Sequence, residues 1–283
     1  MTTKNLQNLA RKQAGPFEGA FRLRRPQLLQ DRNGNAYVEL SLEDMNGRVP
    51  AYIWQPPEGL MLPEDLSCVH VSGHLRFRRD GAVADLECLQ ETERQAEDII
   101  RLIPQGLCPL PWLLSFLEAI VERIQVPALK AFVLATLSDD TIAFPFVACP
   151  ASFSYHHNYP GGLLRHSIEC AQMVERYREF PAYRRDLGVV AALFHDIGKI
   201  LTMTPQMRLT SLGATMDHDK LTLEVLAPHL RPLDAIWPGG GIDLRYLMTW
   251  RPGKRDSGLP KTPLANAVLA ADRISSGIDE RSR

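Results

Sequence analysis

The chain has 283 residues, of which 45% are hydrophobic and 23% are charged, a composition that excludes an intrinsically disordered protein. Because domains cluster near roughly 100 to 150 residues, this length predicts two domains. The 32 basic and 33 acidic residues give a formal net charge of −1, which excludes recruitment of nucleic acid by a global positive field.

The cysteines and the N-terminal residues bear on cellular location. The five cysteines include no CxxC pair, which fits neither a disulfide framework nor a zinc ribbon and favours a reducing compartment. The first residues contain no apolar signal segment, and no run of about 18 uncharged apolar residues occurs in the chain. We therefore expect a cytoplasmic protein that does not enter a membrane.

Residues 17–89 have the pattern of short β-strands. Apolar and polar residues alternate from Tyr37 to Leu42, as they do in a strand with one buried face. Dipeptides typical of tight hairpins separate the strands: Asn33-Gly34, Asn46-Gly47 and Asp80-Gly81. About five strands in this length predict an all-β OB-fold barrel.

The predicted barrel carries two basic clusters, RLRR and RFRR, together with aromatic residues on its strands. OB-folds bind single strands by stacking bases on aromatic rings while cations contact the backbone. Alternating arginines also keep an ordinary barrel soluble, and Trp54 can instead belong to the core. The candidate nucleic-acid contacts are Arg22, Arg24, Arg25, Tyr52, Trp54, Arg76 and Arg78.

After about residue 90 the apolar residues recur at spacings of three and four, which predicts a part that is nearly all helix. The charged segment ETERQAEDIIRL, which ends before Pro104, is the predicted connection. The sequence therefore predicts an all-β domain at residues 1–95 and an all-α domain at residues 96–283.

The helical part contains four residues that are costly to bury without partners: His166, His195, Asp196 and Asp272. The helix of Asp272 is predicted to begin at Thr262, a suitable N-cap. The residues three, four and seven positions before Asp272 are apolar, so its carboxylate points to the core. His195 and Asp196 follow a helix that is apolar on most sides, and Gly198 is expected to loosen the turn so that both contact one ion.

Two imidazoles and two carboxylates with open positions suit an octahedral divalent ion better than a closed zinc site. Mn²⁺ is the first choice, with Fe²⁺, Mg²⁺, Co²⁺ and Ni²⁺ as alternatives. Such an ion activates water and polarises a phosphoryl oxygen, which predicts hydrolysis of phosphate esters with Asp196 at the catalytic centre. The ammonium of Lys199 is a candidate to neutralise phosphate charge.

Each of these residues also has a simpler interpretation. A single histidine on an apolar helix face is commonly a hydrogen-bonded core residue, and a single buried aspartate commonly caps a helix or pairs with a cation. Lys199 can be an ordinary solvated lysine at a helix end. The metal hypothesis depends on the four residues acting together.

Two segments, HHNYPGGLLRHSIECA at residues 156–171 and LGVVAALFHDIGKI at 187–200, resemble the HD superfamily of metal-dependent phosphohydrolases. The order His166, His195-Asp196 and Asp272 matches that superfamily's metal motif. The HHxxxGGLxxH lead-in is similar to the YhaM family of 3'-to-5' exoribonucleases and to HD relaxases of conjugative elements. In YhaM proteins an OB-fold precedes the HD domain, so the resemblance extends over about residues 17–280.

The resemblance implies further site residues. His218 falls where related enzymes carry an extra histidine, which makes it a candidate ligand of a second metal or of phosphate. At least one of His156 and His157 is expected to face the pocket as ligand or proton donor, with His157 the candidate catalytic residue; the alternative is a role in stabilising the loop.

The sequence departs from YhaM-type enzymes ahead of the final helix, where those enzymes show a His-His pair. Here Thr249 and Trp250 lie near those positions, which argues for a single firmly held ion. Arg251, with Lys254 and Arg255, can contact phosphates, and Trp250 can stack on a base. A solvated basic loop with a packed Trp250 is an equally good interpretation.

We therefore expect a metal-dependent phosphodiesterase that acts as a 3'-to-5' exonuclease on single-stranded RNA or DNA. One alternative is a phosphohydrolase of small nucleotides or cyclic nucleotides. Another is a nucleic-acid-binding accessory protein with a degenerate HD site.

Overall fold

A computed structural model describes residues 14–79, 81–251 and 262–281, with side chains up to residue 278. The chain divides into two compact units, Met1–Leu107 and Cys108–Arg283. The first is built on β-strands and the second on helices, so the predicted fold class is confirmed.

Five strands form the first unit, and they close into a barrel in the order β1-β2-β3-β5-β4. Neighbouring strands are antiparallel except β3 and β5, which pair in parallel. This five-stranded closed barrel is OB-like. The strands are β1 (Gly15–Gln30), β2 (Ala36–Asp44), β3 (Gly47–Trp54), β4 (Cys68–Arg78) and β5 (Gly81–Glu91).

The alternation predicted for β2 is present, because Val38, Leu40 and Leu42 are buried in the barrel core. Tyr37 and Glu39 point to the outer face and pair with outward-facing residues of β3. The hairpin between β2 and β3 turns at Met45 and Asn46, one residue earlier than the predicted Asn46-Gly47, and Gly47 begins β3 opposite Asp44. In the predicted turn at Asp80-Gly81, Asp80 lies outside the described residues.

Residues 96–107 belong to the barrel unit, so the division lies after the 95/96 boundary that the sequence suggests. Two short 3-10 helices, Ala96–Asp98 and Gln105–Leu107, form part of this segment. The backbone N–H of Met45 donates to Arg101 O at 2.8 Å, and that of Gly106 donates to Glu43 Oε1 at 2.7 Å. These bonds attach the segment to the end of β2 and to the turn that follows it.

Nine described helices form the second unit. They are α1 (Leu113–Arg123), α2 (Pro127–Ser138), α3 (Asp140–Ala148), α4 (Gly162–Glu175), α5 (Ala182–Phe194), α6 (Lys199–Thr202), α7 (His218–Ile236), α8 (Pro238–Thr249) and α9 (Pro263–Arg281). No single helix of the described chain is long and apolar enough to cross a membrane; only α2 and α3 together reach that length, and they are bent by 83°.

Helix α5 is the centre of this unit, and every residue from Asp186 to its end at Phe194 is buried. A Cβ atom on Gly188 would lie 2.6 Å from Leu264 and 2.9 Å from Val174, so glycine allows α4 and α9 to pack closely on α5. The predicted cap of α9 is confirmed, because Thr262 Oγ1 accepts a hydrogen bond from Ala265 N at 3.2 Å. This packing brings the residues of the candidate site together.

Candidate metal centre

Four side-chain atoms from α4, the end of α5 and α9 converge on one point. His166 Nε2 lies 3.3 Å from His195 Nε2, 3.5 Å from Asp196 Oδ2 and 3.3 Å from Asp272 Oδ1. His195 Nε2 lies 3.6 Å from Asp196 Oδ2 and 3.7 Å from Asp272 Oδ1. The structure thus brings together the four residues that the sequence singles out.

These separations fit one divalent cation. Ligand atoms on a common ion are roughly 3.0 to 3.5 Å apart when its bonds are about 2.1 Å long. Neutral imidazole nitrogens and carboxylate oxygens are suitable donors for such an ion. Cys170 Sγ lies 3.8 Å from His166 Nε2, but burial raises the pKa of this thiol well above its usual value, so it stays protonated and is a poor ligand.

The backbone orients both halves of the His195-Asp196 pair. His195 Nδ1 lies 2.9 Å from Ala192 O and donates to it, which leaves the lone pair of Nε2 free for the centre. Gly198 was expected to loosen the turn, but it keeps helical torsion angles, φ −58° and ψ −17°, so this expectation is wrong. Glycine is needed here because a Cβ would lie 2.2 Å from His218 O at the start of α7.

A buried network orients His166. The hydroxyl of Ser275 donates to Glu169 Oε2 at 2.7 Å, since a carboxylate can only accept. Ser275 Oγ therefore accepts from His166 Nδ1 at 3.0 Å, and the lone pair of His166 Nε2 faces the centre. Burial raises the pKa of Glu169, but hydrogen bonds from His157, Arg165 and Ser275 outweigh it and lower that pKa to about 2.

His157 belongs to this supporting network, which corrects its predicted catalytic role. It is 1% exposed, with Nδ1 3.0 Å from Tyr159 Oη and Nε2 3.2 Å from Ser275 Oγ and 3.3 Å from Glu169 Oε2. Both ring nitrogens have protein partners, so neither is free for substrate.

Both rings of the pair lie near that of His166, and His156 is the one with an unpartnered ring nitrogen. Its ring centroid is 5.0 Å from that of His166, and its buried Nε2 has no hydrogen-bond partner among the described residues. Burial lowers the pKa of His156 to about 4, and the neighbouring His166 and Lys199 lower it further. A buried nitrogen without a partner beside a metal site is available to a ligand.

The electrostatics hold both carboxylates ionised. Burial raises the pKa of Asp196, but His195 and Lys199 outweigh it and hold that pKa well below the usual range. Asp272 likewise has a lowered pKa, because its contacts with the rings of His166 and His195 overcome the effect of burial. The structure pairs Lys199 Nζ with Asp196 Oδ2 at 2.6 Å, which balances one of the two negative charges.

A second cluster shares Asp196. Its Oδ1 lies 3.2 Å from His218 Nε2, which in turn lies 3.4 Å from Asp219 Oδ1. Asp219 was not predicted; its place next to His218 in the MDHDK run was the available signal. Arg251, a predicted phosphate contact, donates to Asp219 Oδ1 at 2.9 Å, whereas Lys254 and Arg255 lie outside the described residues.

Two of the three arginines in the RLRR cluster on β1 bond to other residues of the barrel unit. The prediction that Arg22 contacts nucleic acid is wrong. Its side chain is 2% exposed and donates to Leu102 O at 2.8 Å and to Leu66 O at 2.7 Å. Arg24 pairs with Glu43 at 2.8 Å and Asp65 at 3.3 Å. Arg25 is exposed and has a left-handed φ of 49° at a β-bulge, and its role stays a prediction.

An aromatic cluster lies on the outer face of β2 and β3. The ring of Trp54 stacks on those of Tyr37 and Tyr52, with centroids 5.4 Å and 5.3 Å apart. Trp54 is 48% exposed, so its interpretation as a core residue is wrong. Arg78 lies 6.0 Å from the centroid of Tyr52, whereas Arg76 forms an ion pair with Asp85.

The chain is similar to several known proteins. The HD domain model matches residues 163–277. The 3'-5' exoribonuclease YhaM of Listeria innocua is 22% identical over 86% of this chain and 78% of its own length. YhaM of Oceanobacillus iheyensis is 24% identical over 88% and 79%. The second OB-fold domain of replication protein A from Methanococcus maripaludis is 16% identical over 34% of this chain and 98% of its own, with a TM-score of 0.26.

The matched residues include all four converging ligands, from His166 to Asp272. The similarity to the two YhaM proteins extends over most of the chain. The chain therefore consists of an OB-like β-barrel followed by an HD domain at residues 163–277, and it is similar along most of its length to YhaM proteins.

Proposed function

We propose that this protein is a metal-dependent phosphodiesterase that removes nucleotides from the 3' end of single-stranded RNA. The observation that carries this proposal is the convergence of His166 Nε2, His195 Nε2, Asp196 Oδ2 and Asp272 Oδ1 on one point. The name of the similar proteins, 3'-5' exoribonuclease, supports the direction of attack and the choice of RNA over DNA.

These four residues would hold the ion. A divalent cation there supplies Lewis-acid polarisation of a phosphoryl oxygen and lowers the pKa of water. Lys199 places a buried ammonium beside Asp196, close to where the substrate's phosphate would lie. His156 offers Nε2 for a hydrogen bond to a phosphate oxygen, and Ser275 keeps the Nδ1 proton of His166 directed away from the centre.

The donor set supports Mn²⁺ as the ion, with Fe²⁺, Mg²⁺, Co²⁺ and Ni²⁺ as alternatives. Two imidazoles and two carboxylates leave positions open for substrate, whereas structural zinc sites are closed and use thiolates or histidines. The shared carboxylate of Asp196, next to His218 and Asp219, supports the proposal of a second site there. Metal analysis of the purified protein decides between one and two ions.

The barrel would hold the strand. The stacked rings of Tyr37, Tyr52 and Trp54 provide a platform on the β2–β3 face, where OB-folds bind oligonucleotides. Arg78 beside Tyr52 adds one cation there. Cytoplasmic location is part of this proposal, supported by five free thiols in the described chain.

The direct test compares RNA and DNA strands labelled at the 5' or the 3' end, with Mn²⁺ present. With 5'-labelled RNA we expect a ladder of products that shortens with time, and with 3'-labelled RNA we expect immediate release of labelled mononucleotide. Asp196→Asn should abolish both signals. A uniform set of internal cuts, or cleavage of small nucleotide esters alone, would contradict the proposal.

A further inference from the structure

A cleft of about 300 Å³ lies at the opposite end of the α4–α5 helix pair from the metal centre. Glu175 at the end of α4 and Asp186 near the start of α5 line it, together with residues from the end of α1. Arg185 precedes His195 by ten residues of helix, so the cleft is about 15 Å from the centre. It is therefore separate from the site described above.

Two of the three carboxylates that line the cleft already have partners. Glu175 accepts two hydrogen bonds from Arg123, at 2.5 Å and 2.9 Å. Asp186 is buried, and its Oδ2 accepts from the backbone N–H groups of Gln125 at 2.7 Å and Val126 at 2.9 Å. Glu122 contributes the third carboxylate.

Two arginines of the cleft, Arg178 and Arg185, have side chains without a partner among the described residues. Within the part of the chain that the structure describes, the guanidinium groups of Arg178 and Arg185 form no hydrogen bond or ion pair. Arg185 is half-buried and Arg178 is exposed. Counting Arg123, three arginines and three carboxylates line the cleft, so its formal charge is zero. The two unpaired guanidinium groups present several N–H donors to an incoming group.

We propose that this cleft binds phosphate groups through Arg178 and Arg185. Guanidinium matches a tetrahedral anion through paired N–H donors, and it is weakly hydrated, so it binds phosphate better than lysine does at a partly enclosed site. The phosphates come either from the backbone of a nucleic-acid strand or from a free phosphate compound. Binding at this cleft is independent of cleavage at the metal centre.

The test uses the full chain with Arg178→Ala and Arg185→Ala combined. Two probes are measured: inorganic pyrophosphate by calorimetry, and a labelled single strand with phosphorothioate linkages by anisotropy over a series of salt concentrations. If the strand occupies the cleft, the slope of log affinity against log salt falls by about 1.4, since each phosphate contact on a single strand contributes roughly 0.7. If a free phosphate compound occupies the cleft, the alanine pair loses pyrophosphate binding, and the salt dependence of strand binding is the same as in the wild type.

Arg231→Ala is the matched control, because Arg231 is exposed on α7 and has no partner among the described residues. It should leave both measurements as in the wild type. Arg178→Lys with Arg185→Lys keeps the charge and should lower affinity less than the alanine pair. Unchanged metal content establishes that the variants are folded. Wild-type behaviour of the alanine pair with both probes would overturn the proposal, and neither probe requires cleavage.

Discussion

Asp196 Oδ1 lies 3.2 Å from His218 Nε2, so one carboxylate connects two clusters of possible ligands. Its other oxygen faces His166, at 3.5 Å from Nε2. A carboxylate with one oxygen directed to each cluster can bridge two cations. Under the proposed function, Asp196 would thereby connect two ions, although the chain has no His-His pair near Thr249 and Trp250.

Asp196→Asn should remove bound metal and lower turnover by more than about 100-fold, because it takes a charged ligand from both clusters. Asp219→Asn is the comparison, since it changes only the second cluster. We expect it to leave one ion per chain. Elemental analysis combined with turnover measures both effects. Equal metal loss in the two variants would contradict the assignment of Asp196 to the primary site.

Ser275→Ala should lower metal affinity by about 10- to 100-fold, the usual effect of removing a hydrogen-bond partner of a ligand histidine. The change removes the acceptor of His166 Nδ1. Ser167→Ala is the matched control, because its hydroxyl is also buried but has no hydrogen-bond partner among the described residues. Metal titration should separate the two variants; similar losses in both would show that the hydroxyl does not orient His166.

The two adjacent histidines should behave differently. His156→Ala leaves the fold and metal content intact and lowers turnover by about 100-fold, the lower end for a proton-transferring or hydrogen-bonding catalytic residue. His157→Ala instead lowers Tm and metal affinity, since both its ring nitrogens have protein partners. Thermal unfolding, metal titration and turnover on both variants provide the comparison. A normal turnover in His156→Ala would exclude it from the reaction.

Trp54→Ala should weaken binding of single-stranded RNA by about 5- to 150-fold, because stacking of one base contributes roughly 1 to 3 kcal/mol. Trp112→Ala is the control, since Trp112 is 53% exposed but lies next to α1 in the helical unit. Anisotropy with a labelled strand measures both. If the two variants bind RNA equally well, the β2–β3 face does not hold the strand.

Glu169 should make stability depend on acid pH. Its pKa in the fold is about 2, against an ordinary 4.5, so its contribution is fully present above about pH 4.5 and is lost as the pH falls toward 2. Glu169→Gln removes a contribution on the order of 3 kcal/mol. Denaturant unfolding of both proteins should show a stability gap that is constant near neutral pH and narrows below pH 4.5.

Short-range patterns in the sequence were enough to predict the elements and the order of the two folds. Alternation in β2 depends on residues two apart, and the helical spacing before Asp272 on residues three and four apart, so both can be found without knowing the tertiary fold. The same reasoning selected His166, His195, Asp196 and Asp272, because a polar group on an apolar helix face requires a partner.

Charge pairing and the environment of individual side chains were decided only by the tertiary structure. Arg22 and Arg25 are near neighbours in one basic cluster, yet only Arg22 is buried. Its guanidinium donates to Leu102 O, which is 80 residues away in the chain and cannot be identified from the local sequence. Similarly, Ser275 on α9 determines that His157 supports His166 while His156 remains open. Residues distant in sequence provide these partners, and local periodicity carries no information about them.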